Sequence, residues 1–152
     1  MSRLCSDDGQ SQKQTECDPL QGMNCDNATG LCVGSCTPEN IGQSYYGCDY
    51  YPTVTNNSLV SKSFDFAVAV SNTTAFPVTI TVTKGAATTT TATLAANSVQ
   101  ILNLPWVPAL DQQSTQRVID GAYRLRSTRP VTVAPQVSRG VGLPKAEARS
   151  VA

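Results

Sequence analysis

All six cysteines of this chain lie in its first third, and none occurs after Cys48. The residues between them are mainly polar residues and turn formers, and large apolar residues are too few to build a separate core. Disulfide bonds are the usual substitute in so small a module, each contributing about 2–4 kcal/mol. We therefore predict a disulfide-stapled, loop-rich module over residues 1–50, with the cysteines Cys5, Cys17, Cys25, Cys32, Cys36 and Cys48.

The alternative for clustered cysteines is a zinc site, because thiolates bind zinc tightly. Structural zinc sites usually contain two closely spaced pairs of ligands, whereas only Cys32 and Cys36 are close together here. The spacing favours disulfides over metal, although it does not select one pairing pattern. Disulfides require an oxidising compartment, so we expect an extracellular or cell-surface protein. Residues 1–5 lack the pattern of a signal peptide, and we expect the secretion signal to be missing from this chain.

Charge and composition exclude several function classes. Basic and acidic residues number 11 each, so no net charge attracts nucleic acid or an anionic membrane. The chain has no histidine, which excludes histidine-based catalysis and histidine metal ligands. It also lacks a Gly-x-Ser-x-Gly elbow, a phosphate-binding glycine loop and an apolar run long enough to cross a bilayer. We predict a non-enzymatic protein without cofactor or metal that does not span a membrane.

Acidic residues are concentrated in the cysteine-rich module, where residues 1–50 contain seven acidic and two basic side chains. The remainder of the chain is correspondingly basic. Exposed charges separated by more than about 8 Å are screened in physiological salt. We therefore expect this asymmetry to contribute little to the arrangement of the two parts.

After Pro52 apolar and polar residues alternate with period two, which is typical of half-buried strands. The apolar positions of the first two segments are Phe64, Phe66, Val68, Val70, Val78, Ile80 and Val82. Strand starts near residues 64, 78, 88, 98, 122 and 131 have the spacing of sandwiches and barrels. We predict an all-β fold, with an antiparallel β-sandwich over residues 51–133 after the cysteine-rich module.

Two parts of this pattern are less regular. Val99 and Ile101 are predicted to form a further apolar strand with Leu102 and Leu104, after a slip of one position. Beyond Val133 the alternation is lost, so residues 134–152 are predicted to form a disordered tail. A sheet that ended there would leave one edge unpaired, and exposed edges favour association.

Four segments carry a resemblance to a known family, and they are residues 46–51, 66–72, 103–106 and 120–133. The most specific string is Gly-Ala-Tyr-Arg-Leu-Arg-Ser-Thr-Arg-Pro-Val over residues 121–131. With the cysteine-rich segment, the resemblance covers about residues 17–133. The chain resembles bacterial surface proteins that are similar to the N-terminal region of the IgGFc-binding protein.

This resemblance implies an extracellular, all-β, non-enzymatic protein that functions in adhesion or binding. Members of the family are several times longer, and they continue after the Pro-Val-Thr-Val strand with a segment that this chain lacks from Ala134 onwards. We therefore expect this chain to be a truncated or frame-shifted member of the family. The remainder of a larger parent chain is then expected to be one of its partners. The resemblance assigns no ligand-binding residue.

Candidate binding residues follow from side-chain chemistry. Arg124 and Arg126 lie on one strand face and can bind a carboxylate, a sulfate or a sugar acid, the alternative being a solvated face. Trp106 can stack on a sugar or anchor a loop. The tyrosines around Cys48 form either a contact surface or the packing between the two modules, and they are Tyr45, Tyr46, Tyr50 and Tyr51.

These residues lead to two hypotheses of function. In the first, the chain is a binding or adhesion module that recognises a protein or glycan surface through the module junction. In the second, the cysteine-rich module is an inhibitor-like or ligand-binding knot, and the β domain is a spacer.

Overall fold

The segments with period-two alternation form antiparallel strands, as predicted. The computed structural model describes residues 2–5, 12–54, 64–110, 112, 114, 115 and 117–139. The strands are β1 (Ser2–Cys5), β2 (Gln12–Thr15), β3 (Asn24–Cys25), β4 (Cys32–Val33), β5 (Gly47–Tyr50), β6 (Phe64–Asn72), β7 (Val78–Lys84), β8 (Ala87–Leu94), β9 (Ser98–Leu104) and β10 (Tyr123–Arg139). Within these described residues, the helical turns are α1 (Pro38–Ile41) and two 3-10 turns, Pro19–Gln21 and Pro108–Leu110. No helix in the described residues has the length and hydropathy to cross a membrane.

The long strand β10 takes part in both layers of the fold. Its first half pairs with β7 from Tyr123 to Ser127, and β5 pairs with its other edge. Its second half pairs with β6 from Thr132 to Arg139. One layer is therefore β8-β7-β10-β5 and the other is β9-β6-β10, all antiparallel. The predicted antiparallel β-sandwich is confirmed.

β10 must bend sharply between its two halves. Phe66 pairs with Val137, which is 14 residues from Tyr123 and would lie about 46 Å from it along a straight strand. The rings of Phe66 and Tyr123 are nevertheless stacked, with centroids 6.1 Å apart. The bend lies between Ser127 and Thr132, where the register with β5 also shifts. Pro130 is compatible with this place because it has no N–H to donate to a ladder.

The core lies between the two layers. Its buried apolar residues are Val54, Phe66, Val68, Val70, Val78, Ile80, Val82, Leu94, Leu102, Leu104, Val107, Tyr123, Leu125 and Val131. β6, β7 and β10 contribute alternate residues, as the period predicts. At one end of the core, the buried side chain of Asn72 forms hydrogen bonds with two loops. Its Nδ2 donates to the carbonyl oxygens of Phe76 and Ala95, each at 2.8 Å.

The predicted slip in β9 does not occur. β9 pairs with β6 in continuous register from Ser98 to Leu104. Leu102 and Leu104 face the core, whereas Val99 is 66% exposed and Ile101 is 45% exposed. The apolar side chains of β9 therefore lie on both of its faces, so the predicted strand is confirmed but the slip is wrong.

The boundaries of the modules also differ from the sequence analysis. The strands expected near residues 122 and 131 are one strand, which extends past Val133 to Arg139. Residues 134–139 pair with residues 64–69, because backbone pairing does not require alternating side chains. Residues 140–152 of the predicted tail lie outside the described residues. At the other end, β5 belongs to the cysteine-rich module by sequence but pairs with β10.

The core position of Leu125 gives a first prediction. Leu125 is fully buried, so Leu125→Ala is expected to lower the free energy of unfolding by about 2–5 kcal/mol. Ile119 is 85% exposed, and Ile119→Ala is expected to change the free energy of unfolding by less than about 0.5 kcal/mol. Urea denaturation of the oxidised protein measures both. Equal losses for the two variants would contradict the core described here.

Candidate functional site

Two disulfides hold the cysteine-rich module together. Cys17 bonds to Cys32 and Cys36 bonds to Cys48, with Cα–Cα distances of 5.4 Å and 5.9 Å. Disulfide bonding is thus confirmed for four of the six predicted cysteines, and these four sulfurs have no thiolate left for zinc. Cys25 lies in β3 opposite Cys32, with its sulfur 3.9 Å from the carbonyl oxygen of Asp26. The side chain of Cys5 lies outside the described part of the chain.

The module packs closely on the bend of β10. Cys36 and Cys48 are buried, and the Cys36 sulfur is 3.4 Å from the carbonyl oxygen of Ser127. Gly22 ends the first 3-10 turn with a φ of 62°, where a Cβ would lie 2.5 Å from the carbonyl oxygen of Thr128. Glycine is therefore required at this position both by its backbone conformation and by the approach to β10.

Four charged residues join the module to the sandwich, and we call them the junction cluster: Asp18, Asp49, Arg124 and Arg126. Arg124 donates to Asp49 through two nitrogens, with Nε–Oδ1 3.0 Å and Nη2–Oδ2 2.8 Å. Arg126 Nη1 is 3.2 Å from Asp18 Oδ2. Asp49 lies opposite Arg126 in the β5–β10 register, so its carboxylate reaches Arg124 on a diagonal of the same face.

The electrostatics of the junction cluster favour the charged form of Arg124. The hydrogen bonds from Arg124 to Asp49 raise the pKa of the guanidinium above its ordinary value, against a smaller opposing effect of burial. Gln21 also donates to Asp49, from Nε2 at 3.3 Å. Arg126 is more enclosed, with a side chain 16% exposed, and its Nε is buried without a hydrogen-bond partner among the described residues.

The structure gives the two arginines a partner that the sequence analysis did not consider. Arg124 and Arg126 share one strand face, as expected. Their guanidinium groups, however, form salt bridges with carboxylates of the cysteine-rich module. Physiological salt screens these charges little, because they are in contact and partly buried. Charge asymmetry thus contributes directly to how the two parts are arranged.

The tyrosines next to β5 divide into two groups. Tyr50 packs against the core, and its hydroxyl donates to the carbonyl oxygen of Val131; burial raises the pKa of this hydroxyl. We call Tyr45, Tyr46 and Tyr51 the flanking tyrosines, because they directly precede and follow β5, and they are 95%, 43% and 61% exposed. Arg124 lies 5.8 Å from the ring centroid of Tyr51.

Trp106 is located away from this junction. Its ring packs against the core, and its Nε1 is buried without a hydrogen-bond partner among the described groups. It lines a shallow cavity of about 490 Å³ together with Lys84, Pro105 and Tyr123. Of the two roles considered for Trp106, packing of its ring against the core agrees with the loop anchor, while stacking on a sugar stays a prediction.

Sequence analysis missed a groove on the cysteine-rich module, which we call the head groove. It encloses about 550 Å³, and its apolar lining includes Met23, Leu31, Val33 and Pro38. Leu31 and Val33 are 47% and 46% exposed. The sequence shows that apolar residues are scarce in this module. The signal for the groove was that Leu31 and Val33 lie on either side of Cys32, which places both side chains on the face opposite to the bonded sulfur.

Comparison with known proteins adds no family to this description. No protein-family model, curated protein or solved structure matches the chain. The resemblance to the IgGFc-binding protein stays a prediction from the sequence, as does the function it implies.

The junction cluster predicts a measurable coupling between Arg124 and Asp49. A double-mutant cycle with Arg124→Gln and Asp49→Asn is expected to give about 0.5–1 kcal/mol, because the Arg124 side chain is 39% exposed and solvent weakens the pair. The coupling should decrease in about 1 M salt, where screening acts over about 3 Å. Urea denaturation of the four proteins measures it. The control cycle pairs Asp49→Asn with Arg117→Gln, an exposed arginine, and a coupling of the same size there would contradict the assignment.

The two disulfides are expected to differ in their contribution to stability. Replacing either pair by alanine should cost about 2–4 kcal/mol in the free energy of unfolding. Cys36→Ala with Cys48→Ala is expected to cost more than Cys17→Ala with Cys32→Ala, because Cys36 and Cys48 are buried and their loss leaves a cavity. Urea denaturation of both double variants tests this order. An equal or reversed order would show that the packing of the bridge on β10 adds no stability.

Proposed function

We propose that this chain is a non-enzymatic, extracellular or cell-surface binding module with a role in adhesion. In this proposal it forms part of a larger protein of the type related to the IgGFc-binding protein. It recognises a protein or a glycan surface through the flanking tyrosines at the junction of its two parts.

The exposed flanking tyrosines are the observation that carries this proposal. Tyrosine gives large amphipathic contact areas and is enriched among the residues that dominate binding energy. Tyr51 is 61% exposed although it directly follows the partly buried strand β5, and Tyr45 is 95% exposed two residues before that strand begins. Large aromatic side chains held in solvent on a fixed backbone are available for contact with a partner.

The backbone between these tyrosines is held in place by three kinds of interaction. Cys48 in β5 is bonded to Cys36, Asp49 is bonded to Arg124, and the hydroxyl of Tyr50 is bonded to the carbonyl oxygen of Val131. A contact surface that is ordered before binding loses less conformational entropy when the partner arrives. The rigidity of β5 thus favours affinity at its two ends.

The disulfides support the location. Two disulfides among the described residues are typical of secreted and surface proteins, because the cytosol keeps thiols reduced. An oxidising compartment is also required for the Cys36–Cys48 bond that fixes β5.

The head groove supports a second candidate function. In this alternative the cysteine-rich module binds an apolar ligand or segment between Met23, Leu31, Val33 and Pro38, and the β domain is a spacer. The volume of about 550 Å³ lies within the range of ligand-binding clefts.

One experiment tests the two candidates against each other with the oxidised full chain. The probes are immobilised collagen, a mucin-type glycan array and immunoglobulin Fc. A Tyr45→Ser, Tyr46→Ser and Tyr51→Ser triple variant is expected to reduce binding by about tenfold or more, because it removes the exposed aromatic contacts. Surface plasmon resonance or array fluorescence measures the loss.

The matched control is Phe76→Ser, which removes an aromatic side chain that is 56% exposed at another position. It is expected to leave binding unchanged. Loss of binding in a Leu31→Ser and Val33→Ser variant, with the tyrosine variant unaffected, would favour the head groove instead. Failure of the unaltered chain to bind any of the three probes would contradict the adhesion proposal.

A further inference from the structure

A long uncharged segment forms one side of the sandwich. From Gly85 to Leu110 the sequence contains no Asp, Glu, Lys or Arg, so all 22 charged side chains lie elsewhere. This segment includes β8 and β9, which are the two outermost strands in the order β8-β7-β10-β6-β9. Natural proteins usually protect such outer strands with charged residues, prolines, bulges or a covering segment.

β9 has none of these protections within the described residues. It pairs with β6 along its whole length, in continuous register and without proline. No described strand pairs with its other edge, which leaves backbone N–H and C=O groups available there. Val99 and Ile101 add exposed β-branched side chains, 66% and 45% exposed, beside this edge.

β8 provides a comparison at the other outer position. Its exposed side chains include Thr88, Thr89 and Thr91, whose hydroxyl groups are compatible with water. Its register with β7 is interrupted by a shift between Val82 and Thr83. β8 therefore carries the irregularity that discourages strand addition, whereas β9 is regular and more apolar.

We propose that β9 is a docking edge for an antiparallel strand, and that its occupant is β9 of a second copy of this chain. An antiparallel pair centred on Ile101 places Ile101 opposite its own copy and Val99 opposite Asn103 of the other copy. In this register odd-numbered positions of one copy pair with odd-numbered positions of the other, and even with even. Outward-facing side chains therefore lie beside outward-facing ones, and core-facing side chains beside core-facing ones. Every side chain in the pair is uncharged, so self-pairing brings no like charges together.

The resulting assembly is closed. Pairing through a two-fold axis extends the layer β10-β6-β9 into a continuous sheet across two protomers and uses the same edge on both. A partner strand with charged side chains would find no opposite charges in residues 85–110, which favours an uncharged occupant. The inference is independent of the binding role proposed above, because it concerns a different side of the molecule and its test measures only self-association.

Sedimentation equilibrium of the oxidised full chain, over about 1–500 µM, tests the proposal. The unaltered chain is expected to show a reversible equilibrium between monomer and dimer. Ile101→Lys is expected to raise the dimer dissociation constant by about tenfold or more, because it places two lysines opposite each other. Thr89→Lys, the matched charge on the β8 edge, is expected to leave the dissociation constant unchanged.

A mixing experiment keeps the test independent of any effect on folding. Ile101→Glu is also expected to weaken self-association, whereas an equimolar mixture of the Ile101→Lys and Ile101→Glu proteins is expected to form a heterodimer. Recovery on mixing requires that residue 101 of one copy faces residue 101 of the other. A monomer at all concentrations, open-ended polymers, a dimer that Thr89→Lys disrupts, or a failure of the mixture to associate would overturn the proposal.

Discussion

The backbone hydrogen-bonding capacity of β10 is the constraint on which the rest of the structure depends. This one strand supplies a partner edge to β7, β5 and β6, and its bend brings the two layers face to face. The rings of Phe66 and Tyr123 meet only because of that bend. The cysteine-rich module adds β5 to the same strand and is fixed there by the junction cluster. Both the core and the candidate site are therefore organised by β10, from Tyr123 to Arg139.

The fold class was predictable because alternation reports which side chains face a core. Val68, Val70, Ile80 and Val82 are all fully buried, as the period indicates. The slip predicted between Ile101 and Leu102 was wrong, since an outer strand can carry apolar residues on both faces without a break in register. Reasoning from alternation also failed for residues 134–139, where pairing with β6 depends on backbone groups and leaves no trace in hydropathy.

The candidate site was predictable only in its components. Sequence reasoning placed Arg124 and Arg126 on one face, which follows from the period of a strand. Their carboxylate partners are more than seventy residues away in sequence, and contact between them depends on how the module docks. The pairing of the cysteines was likewise open, because spacing alone does not determine which sulfurs the fold brings together. Long-range docking, rather than local propensity, decides these features.

The positions of the two disulfides have a mechanical consequence when the chain is pulled from its ends. A tensile force can extend an unfolded chain by about 3.5 Å per residue, but it cannot extend the segments enclosed by a covalent bridge. The bridges enclose sequence separations of 15 and 12 residues. Stretching the oxidised protein thus releases roughly 80 Å less length than stretching the reduced protein, so that oxidation limits how far the pulled chain can extend.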